Sequence, residues 1–205
     1  MVKRQLRRRG IESEPVLTAM ASVPREAFVP EDSRGSAYAD GALPIGDGQT
    51  ISQPWIVAAI CQALDLDGSE TVLEIGTGSG YSAAVLAHLA ARVISIERSE
   101  QLADGARRAL AAIGSDRVEV IVGDGSVGLA DRGPFGGIAV HAAVPAPPAV
   151  LLGQLAEGKV LVAPVAAGYG ETLTTFRRAG NDFESQAICA CRFVPLIGAE
   201  GYPQS

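Results

Sequence analysis

Three short stretches of this 205-residue chain combine glycine with acid in a pattern suited to a small, positively charged ligand. Glu74-Ile75-Gly76-Thr77-Gly78-Ser79-Gly80 follows the apolar run Thr71 to Ile75 and precedes an Ala/Leu-rich run, Tyr81 to Ala90. Glycines here let the backbone turn tightly and approach a ligand with no Cβ in the way. Glu97 closes a second apolar run, Val93-Ile94-Ser95-Ile96, 21 residues after Gly76. That is about where a nucleotide-cradling fold places the acid that grips ribose hydroxyls. Gly123-Asp124-Gly125 closes a third run, Val118 to Val122. All three acids are expected at one edge of a sheet.

Charge then selects the ligand. A dinucleotide brings a pyrophosphate, which suits a helix N-terminus but not an adjacent carboxylate. Here Glu74 ends the strand beside the loop, and the spacing is G-x-G-x-G rather than G-x-G-x-x-G. S-adenosylmethionine carries an ammonium and a sulfonium and no phosphate, so the acids favour it. The plainer alternative is a structural strand-turn-helix in some other α/β protein.

The elements that position these residues follow from apolar periodicity. Glu14-Pro15 opens a helix to about Ala21, and Pro24 and Pro30 bracket a helical turn with Arg25, Glu26 and Phe28. Ala39 to Gln49, with Gly41, Pro44, Gly46 and Gly48, is expected to be a surface loop. Pro54 starts a helix whose stripe is Ile56, Ala59, Ile60, Ala63 and Leu64, and a later helix shows Leu102, Ala106, Ala109, Leu110 and Ile113. Further strands are expected at Ile138 to Val140 and Lys159 to Ala163, with a helix from Pro147-Pro148 to about Leu155 between them. Thr172 to Arg178 and Phe183 to Val194 flank Gly180-Asn181-Asp182, a hairpin signal. The sum is an α/β fold, a mostly parallel sheet with antiparallel C-terminal strands and a helical N-terminal cover. A single domain is expected over 1–205, with cover and entrance loop at 1–69, α/β core at 70–165 and hairpin at 166–205.

Composition narrows the classes. Hydrophobic content of 47% and a net charge of −6 indicate a globular protein without the basic footprint of a nucleic-acid binder. The basic cluster Lys3, Arg4, Arg7, Arg8 and Arg9 precedes no apolar core and is not a secretory signal. It is either a solvated helix face or a dock for acidic proteins. No apolar stretch reaches a membrane span, so no membrane partner is expected. Cys61, Cys189 and Cys191 lack metal-ligand spacing, and with only His88 and His141 available no metal site is expected. The simplest expectation for the thiols is burial and reduction in a cytoplasmic monomer.

Ligands of open α/β sheets bind outside the carboxyl ends of the strands. That edge gathers Glu74 with the glycine loop, Glu97, Gly123 to Gly125, and His141 to Val144. Whatever closes over the ligand must come from earlier in the chain, and Gln49-Thr50-Ile51-Ser52-Gln53 is the best candidate. On local sequence alone the favoured reading of its hydroxyls is plain capping of the next helix.

Arg25-Glu26-Ala27-Phe28-Val29-Pro30, Leu43-Pro44-Ile45-Gly46, Gly48 to Pro54, Val72 to Tyr81, Ser95 to Arg98, Gly123-Asp124-Gly125, Gln154-Leu155, Phe193-Val194-Pro195-Leu196 and Gly198 resemble the protein-L-isoaspartate (D-aspartate) O-methyltransferase family. The resemblance covers nearly the whole chain, and Gly-Gln-Thr-Ile-Ser-Gln-Pro is its discriminating part. It implies a Rossmann-like S-adenosylmethionine-dependent methyltransferase sandwich, with S-adenosyl-L-homocysteine as product. It implies methylation of the carboxylate of isoaspartyl, and by the family's name D-aspartyl, residues in damaged proteins, the ester then closing to a succinimide. It makes Ser52 the active-site residue. Cofactor contacts become Gln49, Thr50, Ile51, Ser52, Glu74, Gly76, Thr77, Gly78, Ser79, Gly80, Glu97, Arg98, Gly123, Asp124 and Gly125. Pro44, Ile45, His141 and Val194 fall on the substrate side.

Some positions depart from the family pattern. Gly136 stands where Asp is usual, His141 where Thr is usual, Glu171 where Gln is common and Tyr202 where Trp is frequent. Gly136 and His141 motivate an alternative client, one dedicated aspartyl peptide. A binding module that never turns over is a third reading, opposed by Ser52, Glu97 and Asp124. A nucleic-acid amino-methylating enzyme would need an Asn/Asp-Pro-Pro-aromatic turn where the chain has His141-Ala142-Ala143-Val144-Pro145.

Overall fold

Side-chain alternation along the apolar runs builds a sheet that is covered on both faces. The computed structural model describes residues 1–204; Ser205, the end of the expected C-terminal section, lies outside them. Five parallel strands form the centre: β3 (Thr71–Ile75), β4 (Arg92–Glu97), β5 (Val118–Val122), β6 (Gly137–Val140) and β7 (Val160–Ala167). Antiparallel β8 (Gly170–Ala179) and β9 (Asp182–Cys191) extend it, in the order β5-β4-β3-β6-β7-β8-β9. The chain leaves β3 for β4 and β5 on one side and returns to β6 on the other. The crevice between β3 and β6 is therefore the switch point where such sheets take ligands.

Val72, Val93, Ala139, Val160 and Val162 face one buried cluster, whereas Leu73, Ile94, Ile138, Leu161 and Ala163 face the other. The first cluster is shared with the N-terminal helices. α1 (Glu14–Ser22) contributes Val16, Leu17, Ala19 and Met20, and α2 (Pro54–Leu64) contributes Val57, Ala58, Ile60, Cys61 and Leu64. The buried face of α2 is rotated from the expected stripe: Ile56 and Ala63 are half-buried, while Val57, Ala58 and Cys61 are buried. In α4 (Glu100–Ala112) Leu102, Ala103, Ala106 and Leu110 are buried, with Ala109 half-buried and Ile113 just past the helix end. The other helices are shorter than their apolar runs suggested. α3 spans Tyr81–Leu86 and α5 only Ala149–Leu152.

One element was not expected. Leu43–Gly46 (β1) and Gln49–Ile51 (β2) pair antiparallel across Asp47-Gly48, where a surface loop was predicted. Its glycines and proline obscured the strands, because Pro44 and positive-φ Gly46 and Gly48 can belong to a two-stranded edge but look like breakers.

Free thiols also differ from expectation. Cys61 is buried, but Cys189 and Cys191 on edge strand β9 are only half-buried. Two of the basic N-terminal residues have partners: Arg7 forms a two-pronged pair with Glu14, and Arg9 meets Asp40 and lies over the Trp55 ring. Among the described residues, no helix is long and apolar enough to cross a membrane, and no cluster of metal-ligating side chains occurs.

Candidate active site

At the switch point lies a cavity of about 370 Å³. Its floor is the glycine loop, in which Gly76, Gly78 and Gly80 all have positive φ (89°, 53° and 89°), a conformation costly for any residue with a Cβ. The β1–β2 hairpin lies above it, close enough that a Cβ on Gly78 would sit 3.4 Å from Ile45 Cδ1. A shallower recess lined by Arg98, Gly123, Asp124, Ile197, Gly198 and Gln204 lies beside it.

Of the candidate residues, the cavity brings together Gln49, Thr50, Ile51, Ser52, Gly76, Thr77, Gly78, Ser79, Glu97, Arg98, Gly125, His141 and Val194. Gly123 and Asp124 line the neighbouring recess instead. Gly80 does not line the cavity; it packs on α4, where a Cβ would meet Ala106 Cβ at 3.2 Å. Pro44 and Ile45 belong to the overlying hairpin and are not on the cavity wall. Lining residues that sequence reasoning missed include Asp47, Tyr81, Ser82, Ser99, Leu196 and Gln204. Tyr81 and Ser82 were findable, since they follow the glycine loop directly. Leu196 was findable from the Phe193-Val194-Pro195-Leu196 stretch that resembles the family, whereas Gln204 carries no local signal.

The three acids are not level. β3 and β4 pair with Glu74 opposite Ser95, and β4 and β5 with Glu97 opposite Val122. Glu97 thus stands two residues beyond the level of Glu74. Its Oε2 accepts the Gly78 N–H at 2.9 Å and its Oε1 the Ser99 N–H at 3.0 Å. The carboxylate so ties the glycine loop to the start of α4 and still faces the cavity. Asp124 accepts from the Ser126 N–H and hydroxyl at 2.9 and 2.6 Å and from the Ala199 N–H at 2.8 Å. Burial alone would raise its carboxyl, but these donors outweigh burial and hold it below the ordinary range.

Glu74, expected beside the ligand, is fully buried beneath the loop and off the cavity wall. Thr77 donates to Ser95 at 2.5 Å and Ser95 to Glu74 Oε2 at 2.5 Å. Glu74 Oε1 has no hydrogen-bond partner, and His141 Nε2 lies 3.3 Å from it and 2.8 Å from the Ser82 hydroxyl.

Ser52 lines the cavity and does not cap α2, which begins at a Gln53 N-cap with no side-chain cap bond. Its carbonyl accepts from Arg25 Nη2 at 2.8 Å. The capping alternative is therefore not what the entrance hydroxyls do at that helix.

The departures from the family pattern separate by position. His141 follows β6 at the ligand edge, its N–H donating to the Ile75 carbonyl. Gly136 lies at the opposite end of β6, its N–H bonded to the Thr71 carbonyl. A Cβ there would come within 2.5 Å of Glu70 Cγ, so the space an Asp would occupy is filled by Glu70. Gly136 takes no part in the cavity.

The cavity fits S-adenosylmethionine better than a dinucleotide. The Gly78 N–H, which a pyrophosphate would seek, is already committed to a carboxylate, and acids stand at and beneath the loop. Fold and site define an S-adenosylmethionine-dependent methyltransferase. The family model described as protein-L-isoaspartate(D-aspartate) O-methyltransferase matches residues 1–201, and the chain belongs to that family. It is 51% identical over 204 residues to protein-L-isoaspartate O-methyltransferase 2 of Pelobacter propionicus, covering 98% of this chain and 91% of that one. A solved protein-L-isoaspartate O-methyltransferase superposes with a TM-score of 0.86 at 27% identity, covering 98% of this chain and 67% of that one. A Plasmodium falciparum protein assigned to the same family and solved with S-adenosyl-L-homocysteine has the same fold (TM-score 0.82, 24% identity, 96% of each chain).

Proposed function

We propose that this chain methylates the free α-carboxylate of isoaspartyl residues in proteins, D-aspartyl residues being a second acceptor, and so starts their return to aspartate through a succinimide. The observation that carries this reading is Ser52 on the wall of the same cavity as the glycine loop and Glu97, in a chain of this family.

S-adenosylmethionine, when bound, supplies an electrophilic methyl on a sulfonium. Glu97 would hold it by its remaining lone pairs, with Gln49 to Ile51, the Gly76 to Ser79 loop, Arg98 and Gly125 around it, and Gly123 and Asp124 at the adjoining recess. Glu74 acts from below, as the buried acceptor that holds the loop through Ser95 and Thr77.

The acceptor carboxylate has a pKa near 4 and is ionised at neutral pH, so no residue has to remove a proton. What the chain must do is align and exclude water. Ser52 donates a hydrogen bond to the acceptor carboxylate and fixes its approach. A neutral hydroxyl orients without neutralising the nucleophile as a guanidinium would. His141 and Val194 line the substrate side of the cavity, under the hairpin that carries Pro44 and Ile45.

A dedicated aspartyl-peptide client rested on Gly136 and His141, and Gly136 lies away from the cavity. The test is transfer of labelled methyl from S-adenosylmethionine to an isoaspartyl peptide and to its aspartyl twin. Label on the isoaspartyl peptide alone supports repair, whereas strict preference for the aspartyl twin overturns it.

A further inference from the structure

Arg25 is fully buried, yet no carboxylate pairs with it among the described residues. Its Nε donates to the Ala37 carbonyl at 2.7 Å and its Nη2 to the Ser52 carbonyl at 2.8 Å, while buried Nη1 has no acceptor. The guanidinium lies 4.7 Å from the centre of the Tyr81 ring. Tyr81 packs edge-on against Phe28, in the same short helical turn as Arg25. Ser52 and Tyr81 both line the cavity.

A cation buried with two carbonyls and an aromatic face, and no anion, is a costly way to fill a core. An apolar side chain of the same length would fill that space more cheaply. The planar fork, however, does what an apolar chain cannot. It reaches two carbonyls at once and sits over a ring, linking the 37 and 52 segments to the first residue of α3. Ser52 sits between the short strand β2 and the start of α2, where its hydroxyl can be aimed only if its backbone is held.

We propose that Arg25 is the positioning residue for Ser52: by fixing the 52 carbonyl against the Tyr81 wall it sets the direction of the hydroxyl that orients the acceptor carboxylate. This rests on the role assigned to Ser52 above.

The test is a double-mutant cycle on the full chain, with Ser52→Ala, Arg25→Lys and their combination assayed on an isoaspartyl peptide. Product binding is measured by calorimetry with S-adenosyl-L-homocysteine. Arg25→Lys keeps the buried charge and loses the fork, and is expected to lower kcat ~10- to 100-fold while product affinity changes less than ~3-fold. In the Ser52→Ala background the same substitution should change kcat by less than ~2-fold, because there is no hydroxyl left to aim. Arg25→Gln, which removes the charge but remains polar, should behave likewise. Losses that multiply in the double variant overturn the positioning role and leave that of Ser52 intact. A loss of turnover that merely tracks lost product binding or a lower folded fraction also overturns it. Undiminished turnover in Ser52→Ala overturns both.

Discussion

Two carboxylates of the same type, each near the end of a parallel strand, have been put to opposite uses. Glu97 is the last residue of β4 and faces the cavity, with both oxygens anchored by backbone N–H groups. Glu74 is one residue short of the end of β3, faces the same side of the sheet, and is closed off beneath the glycine loop. An offset of one side-chain level, set by the pairing of Glu74 with Ser95, separates a group that can meet a ligand from one that holds the ligand's floor. Residue type and proximity to a strand end do not assign a role until the register is known.

Removing each acid should therefore fail differently. Glu74→Ala strips the acceptor from the Thr77–Ser95 chain and the neighbour from His141. It is expected to cost about 2–4 kcal/mol of stability. For a chain of this size that lowers Tm by roughly 5–15 °C, read by thermal melting without ligand. Glu97→Ala should weaken S-adenosyl-L-homocysteine binding roughly 10- to 100-fold by calorimetry. Its ligand-free Tm should fall much less than that of Glu74→Ala. If the two variants exchanged phenotypes, the division between floor and wall would be wrong.

Gly125→Ala probes the same boundary from the next loop. A Cβ there would lie 2.6 Å from Ile75 Cγ2, at the top of β3. Overpacking of that kind costs about 1–3 kcal/mol, and product affinity should fall with Tm because Gly125 also lines the cavity.

A third buried acid extends the comparison to the far end of β3. Glu70 accepts from Lys159 at 2.7 Å and from the Asp67 N–H. Burial would raise the Glu70 carboxyl, but these donors outweigh it and hold it below the ordinary range, and Glu70 in turn raises Lys159. The Glu70 contribution is full above the unfolded value near 4.3 and is lost as pH falls through the lower folded one. That of Lys159 is full below about 10.4 and is lost as pH rises through its raised folded value. Lys159→Met should therefore cost about 1–2 kcal/mol near neutrality, the gap to wild type narrowing at both extremes in pH-dependent melts. Turnover should not change, since neither residue lines the cavity.

The sheet was legible because its strands are apolar runs ending in glycine and acid: β5 falls where expected, and β4 and β6 gain a residue or two at their ends. The hairpin over the cavity was not, because it has only three paired positions and carries Pro44, Gly46 and Gly48, which in one dimension signal a loop. Glu74 was placed at the correct edge but on the wrong level, since local sequence does not state which residues of two strands lie side by side. Ser52 could be assigned only by resemblance, because its local sequence favours a helix cap. The partners of Arg25 lie 12 and 27 residues away, beyond any local pattern.

The central claim is that this cavity delivers a methyl group to an isoaspartyl carboxylate. It is tested most directly by following a purified isoaspartyl peptide through repeated turnover with the enzyme and S-adenosylmethionine. The isoaspartyl form should decline while succinimide and then aspartyl peptide accumulate, dependent on both enzyme and cofactor. An isoaspartyl peptide that persists unchanged while label from the cofactor appears on ordinary aspartyl residues would contradict it.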